Sequence, residues 1–259
     1  MEFQFKERYD VYDLVAIMKV LRGENGCAWD RAQDHHSIRN NFLEEVYEAV
    51  EAIDNEDSEL LREELGDVLL QVVFHSGMEE DEGRFNFDDV ANDICQKLVV
   101  RHPHVFGDVK ADNAEDALKS WDAAKAQTKG QKKASEKLLS VAKTLPALMR
   151  SQKVQGRAKK AGMDFESLSQ TLENLKGEIE ELENAIALGN AEQIKDEMGD
   201  VLFSAVNVSR FLDVEAEEAL SNSCDKFVDR FTKVEEKLDK PMNEYSMTEL
   251  DEVWKQIKK

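Results

Sequence analysis

The chain has 259 residues and a formal net charge of -21, with 55 acidic against 34 basic side chains, so its long-range field repels nucleic acid and anionic membrane surfaces. No run of about 18 apolar residues is present to span a bilayer, the N-terminus has no apolar signal core, and three cysteines (Cys27, Cys95, Cys224) without a CxxC pair argue against a disulfide framework or a zinc site. A soluble cytoplasmic protein in a reducing compartment is expected, and with only 3 prolines and 12 glycines amid abundant Ala, Leu, Glu and Lys, an all-α one.

The first strong element in chain order covers residues 41–53 (NFLEEVYEAVEAI). A second follows at 62–73 (REELGDVLLQVV), where Leu65, Val68, Leu69, Val72 and Val73 recur at spacings of three and four and predict a buried stripe. Asp57 or Ser58 is placed to cap its start. A third, basic helix contains 95–101 (CQKLVVR), and Pro103 in His102-Pro103-His104 reads as its stop. The stretch 125–137 is polar, glycine-containing and locally basic, unlike its acidic surroundings.

Beyond it the pattern starts again. Residues 174–186 (NLKGEIEELENAI) and 195–206 (KDEMGDVLFSAV) repeat the first two helices at an offset of 133, and 224–230 (CDKFVDR) repeats the third at 129. Gly189-Asn190 is placed to end one helix and start the next. The expected organisation is a first domain over residues 1–120, a polar linker over 121–137 and a second domain over 138–259, each built on an antiparallel helix pair.

The repeat superimposes four acidic positions without a gap: Glu45, Glu48, Glu64 and Asp67 fall on Glu178, Glu181, Glu197 and Asp200. On a helix, residues three apart share a face, so each ExxE and ExxD forms a two-carboxylate blade, and antiparallel pairing brings the blades face to face. Such crowding of negative charge calls for a divalent cation. All-oxygen ligands select a hard one, Mg²⁺ with Mn²⁺ as a substitute, suited to phosphoryl chemistry. A single ExxE in so charged a chain is most simply a solvated face; the paired motif in two copies is not. Gly66 and Gly199 carry the helix cost of glycine, which a close helix approach beside the metal would explain.

Lys226 and Arg230, four apart on one face and repeated as Lys97 and Arg101, are candidates to grip phosphates, since a site of four carboxylates and one cation still repels an anionic substrate. The histidines His35, His36, His75, His102 and His104 are assigned no catalytic role, and Cys95 and Cys224 are read as core.

These residues resemble the MazG family of nucleoside triphosphate pyrophosphohydrolases, within the all-α NTP pyrophosphatase superfamily. The resemblance is carried by Glu44-Glu45-x-x-Glu48 with Glu64-x-x-Asp67, by Glu178-x-x-Glu181 with Glu197-x-x-Asp200, and by residues 24–30 (ENGCAWD), 101–106 (RHPHVF), 145–150 (LPALMR) and 252–255 (EVWK). It implies two tandem helical-bundle domains, magnesium-dependent conversion of a nucleoside triphosphate to monophosphate and pyrophosphate, low base selectivity and a homodimer. It also implies that the second copy carries most activity, with Glu178, Glu181, Glu197 and Asp200 as metal ligands. Trp254 resembles the family's base-contacting tryptophan, and Asn174 and Lys195 complete the expected substrate-binding set. One departure is Gly177, which stands where the first copy has Glu44. Two other readings stay open: a di-iron carboxylate bundle, which would need Glu-x-x-His on two helices, and a non-enzymatic helical regulator.

Overall fold

A computed structural model describes the backbone of residues 4–129 and 133–258, and the side chains of 4–125 and 133–258. Among these residues there are thirteen α-helices, one short 3-10 turn and no strand. The chain divides into two compact units, Met1–Gly130 and Gln131–Lys259.

In the first unit α1 (Val11–Arg22) starts on a capping box in which Asp10 and Asp13 satisfy each other's backbone amides. The short α2 (Ala28–Ala32) leads to the central hairpin of α3 (Arg39–Asp54) and α4 (Ser58–Asp81). Asp57 is the cap: its carboxylate accepts from the Glu59 and Leu60 amides at 3.1 and 3.0 Å. Next come α5 (Phe87–Arg101), α6 (Pro103–Phe106) and α7 (Ala114–Lys129). Pro103 ends α5 as expected and opens α6 at a position where its missing amide costs nothing. The core is Met18, Ile38, Val73, Phe74 and Met78, with Leu14, Val15, Leu21, Leu70 and Phe87 packed around it.

The second unit holds α8 (Ala134–Leu139), α9 (Ala147–Lys160), the hairpin of α10 (Leu168–Leu188) and α11 (Ala191–Phe211), then α12 (Ala216–Glu235) and α13 (Met247–Ile257). Gly189 closes α10 in the left-handed conformation (φ 66°), and Asn190 caps α11 by accepting from the Gln193 amide. The first unit has Glu56 at the corresponding position, also left-handed (φ 54°). Residues 121–129 of the expected linker are the helical end of α7 and 134–137 begin α8, in keeping with their Ala, Lys and Gln content; 130–132 lie outside the described residues.

Three expectations are corrected. Leu65 and Leu69 are 54% and 37% exposed, because α1 lies along the later half of α4, marked by the Lys19–Glu80 and Arg22–Asp81 ion pairs. Cys95 and Cys224 are exposed: the faces of α5 and α12 that carry them leave Ile94, Leu98, Leu220 and Phe227 exposed as well. Finally, a Cβ at Gly66 or Gly199 would meet no atom within 4 Å, so no close helix approach accounts for either glycine.

Candidate metal centre and substrate-binding residues

Each central hairpin turns the chain in two or three residues, which fixes the register of its helices. In the second unit one carboxylate oxygen each from Glu178 on α10 and Glu197 and Asp200 on α11 lies within 4.8 Å of the others. In the first unit the trio is Glu45 and Glu48 of α3 with Glu64 of α4. The structure therefore groups three of the four expected carboxylates in each copy. The charge of the fourth, Glu181 or Asp67, is felt at the trio as well. Burial raises the Glu197 pKa, and the charge of Glu181 raises it further, with Asp200 adding and a Gln193 hydrogen bond opposing. Glu45 is raised by burial and then by Asp67 and Glu48.

Glu64 is the most telling member. It is 8% exposed, its pKa is raised by burial and then by Glu48, Asp67 and Glu45, and its Oε2 is buried without a hydrogen-bond partner among the described residues. A buried, unpartnered carboxylate oxygen facing other carboxylates is costly unless a cation joins them. The all-oxygen donor sets fit a hard divalent ion.

The expected substrate residues are distributed unevenly. Asn174, one turn before Glu178, donates from Nδ2 to Glu178 Oε1 at 3.1 Å. Lys195 is exposed on α11. Lys226 is exposed and Arg230 half-buried on α12. Trp254 of α13 is half-buried against Phe227 of α12, with ring centroids 5.3 Å apart and planes at 45°. Among the described residues no hydrogen bond or ion pair joins Lys195, Lys226, Arg230 or Trp254 to the carboxylate trio.

Sequence reasoning missed two features. Trp121 of α7 stands 133 residues before Trp254, as does the start of α7 before that of α13; the repeat offset was the available signal. Its ring takes the Arg101 guanidinium at 5.3 Å and the His102 edge at 4.8 Å. Ser204, buried at 4%, donates to Asn174 Oδ1 at 3.0 Å, a contact with no periodic signature. His102 and His104 join no ligand group: His102 Nδ1 lies 2.6 Å from the Leu98 carbonyl and caps α5.

An all-α tandem repeat with paired ExxE and ExxD blades defines a class, and comparison with known proteins identifies it. The profile of the MazG nucleotide pyrophosphohydrolase domain matches residues 33–106 and 166–235, and the chain belongs to this family. It is 41% identical over 249 residues to the nucleoside triphosphate pyrophosphohydrolase/pyrophosphatase MazG of Thermotoga maritima, covering 95% of this chain and 94% of that one. Similarity to the nucleoside triphosphate pyrophosphohydrolase of Escherichia coli is 40% over 252 residues, 95% and 96% of the two chains. With the Mycobacterium tuberculosis protein of the same description it is 42% over 153 residues, 58% of this chain and 45% of that one.

Proposed function

We propose that the chain is a cytoplasmic enzyme that hydrolyses nucleoside triphosphates to monophosphate and pyrophosphate, with Mg²⁺ as cofactor and broad tolerance of the base. The observation that carries this reading is a carboxylate trio in the central hairpin of each unit, Glu178, Glu197 and Asp200 in one and Glu45, Glu48 and Glu64 in the other, in a chain of this family. Cleavage between the α- and β-phosphates consumes one water and needs no covalent nucleophile. When bound, the cation supplies positive charge to the triphosphate and Lewis acidity toward the water. Glu178, Glu181, Glu197 and Asp200 would hold it, the oxygens of Glu178, Glu197 and Asp200 being already grouped within 4.8 Å. Mn²⁺, which takes similar oxygen ligands, is an expected substitute.

Lys226 and Arg230 lie four apart on α12 and bind the phosphates, Arg230 with a forked grip. Trp254 presents its ring to the base beside Phe227, and stacking of this kind accepts any base. Asn174 and Lys195 complete the substrate set, on the two helices that carry the carboxylates. The first unit, with Glu45, Glu48, Glu64 and Asp67, would bind metal but serve a regulatory role, a division that rests on the family resemblance alone.

The active form is a homodimer. What supports this is the large apolar residues left exposed on α10 to α12, among them Ile179, Leu202 and Phe203, since exposed apolar surface marks sites of association where it is extensive.

The test is product analysis with Mg²⁺ and a panel of triphosphates. Monophosphate and pyrophosphate are expected, at similar rates for purines and pyrimidines. Glu197→Gln should lower turnover at least about 100-fold while far-UV circular dichroism is unchanged. Release of orthophosphate and diphosphate, or wild-type turnover by Glu197→Gln at limiting Mg²⁺, would refute the reading.

A further inference from the structure

We infer that Ser204 is a positioning residue for the metal centre of the second unit, acting through Asn174 on Glu178. This assignment rests on the metal reading proposed above. Ser204 Oγ donates to Asn174 Oδ1 at 3.0 Å, and Asn174 Nδ2 donates to Glu178 Oε1 at 3.1 Å. The chain of contacts runs from the buried flank of α11 across to α10 and ends on a carboxylate of the trio.

The chemistry of the three groups admits one orientation. A carboxylate only accepts, so the amide must turn Nδ2 toward Glu178, and its Oδ1 then needs a donor of its own. Ser204 is that donor. Four other helix serines turn back on their own helix: Ser76, Ser151, Ser209 and Ser223 each donate to the carbonyl four residues earlier, at 2.7 to 3.2 Å. Ser204 instead crosses to the neighbouring helix, although it is 4% exposed and a backbone carbonyl lies one turn away in any helix. With both ends satisfied, the amide holds Glu178 in one rotamer, so less side-chain freedom is lost when a cation is bound.

The first unit lacks the link. Its corresponding positions are Asn41 and Gln71 at the offset of 133, and Gln71 Oε1 is buried without a hydrogen-bond partner among the described residues. The two metal centres thus differ in how firmly their ligands are held, despite sharing every carboxylate.

The test uses the full chain carrying Glu45→Gln and Glu64→Gln, so that only the second centre reports, and reads Mn²⁺ affinity without nucleotide by electron paramagnetic resonance. Ser204→Ala should weaken Mn²⁺ about tenfold, the low end for groups that orient metal ligands. Ser204→Thr, which keeps the hydroxyl, should restore affinity to within about twofold. In an Asn174→Ala background Ser204→Ala should add nothing, because its effect passes through the amide. Parental affinity in Ser204→Ala, or an equal loss with and without Asn174, would overturn the assignment. Should the parent fail to bind Mn²⁺, or bind it unchanged after Glu197→Gln, the metal reading itself is wrong and the assignment falls with it.

Discussion

Glu79, near the end of α4, joins three segments of the first unit through one carboxylate. It accepts from Arg84 across the turn and lies 2.7 Å from His35 Nε2, while His35 Nδ1 meets His75 Nδ1 at 2.7 Å. The Arg84 hydrogen bond, helped by His35 and opposed by burial, holds the Glu79 pKa down to about 2. A carboxyl depressed in the folded state contributes stability that is complete above its unfolded pKa, about 4.5, and is lost as pH falls toward 2. His75, lowered by burial and then by His35, pushes the same way: folding opposes its protonation, so stability begins to fall below about pH 6.5. Arg84→Met should therefore lower the urea midpoint at pH 7, with the gap to the parent narrowing from pH 4.5 downward. A gap unchanged between pH 7 and pH 3 would show that Arg84 acts by packing alone.

At the scale of elements, the three repeated helices of each copy and the antiparallel pairing of two of them were legible in the sequence, as were the ends set locally by Asp57, Pro103, Gly189 and Asn190; the helices outside the repeat motifs were not. What covers a helix face was not legible. Periodicity marks Leu65 and Leu69 as apolar but cannot say that α1 packs only farther along α4, and it cannot place Cys95 or Cys224 relative to a neighbour. The carboxylate blades were legible as spacing, whereas the Ser204–Asn174 contact depends on rotamers across two helices. Gly66 offers a direct test of a corrected expectation. With open space around a Cβ there, Gly66→Ala should stabilise the first unit by about 0.5 to 1 kcal/mol through helix propensity, seen as a higher urea midpoint. A lower midpoint would restore the close-approach explanation.

At the scale of the molecule the two compact units make the division of labour testable by dissection. A fragment from residue 133 to the end keeps α8, whose Lys137 carbonyl is bonded by Arg157 of α9. It is expected to fold and to hydrolyse triphosphates, while residues 1–130, which keep α7 and Trp121, are expected to fold with little or no turnover. Comparable turnover by both would make the first unit a second catalyst. Either fragment should retain its metal centre, for a reason rooted in chain connectivity. Every carboxylate of a proposed centre comes from one hairpin, with Glu178 and Asp200 only 22 residues apart. Bringing them together closes a short loop, which is entropically cheap and fast on the folding timescale. The ligands can therefore assemble early, before the more distant packing of α9 and α12, and metal present during synthesis would favour the native pairing of the hairpin over its alternatives.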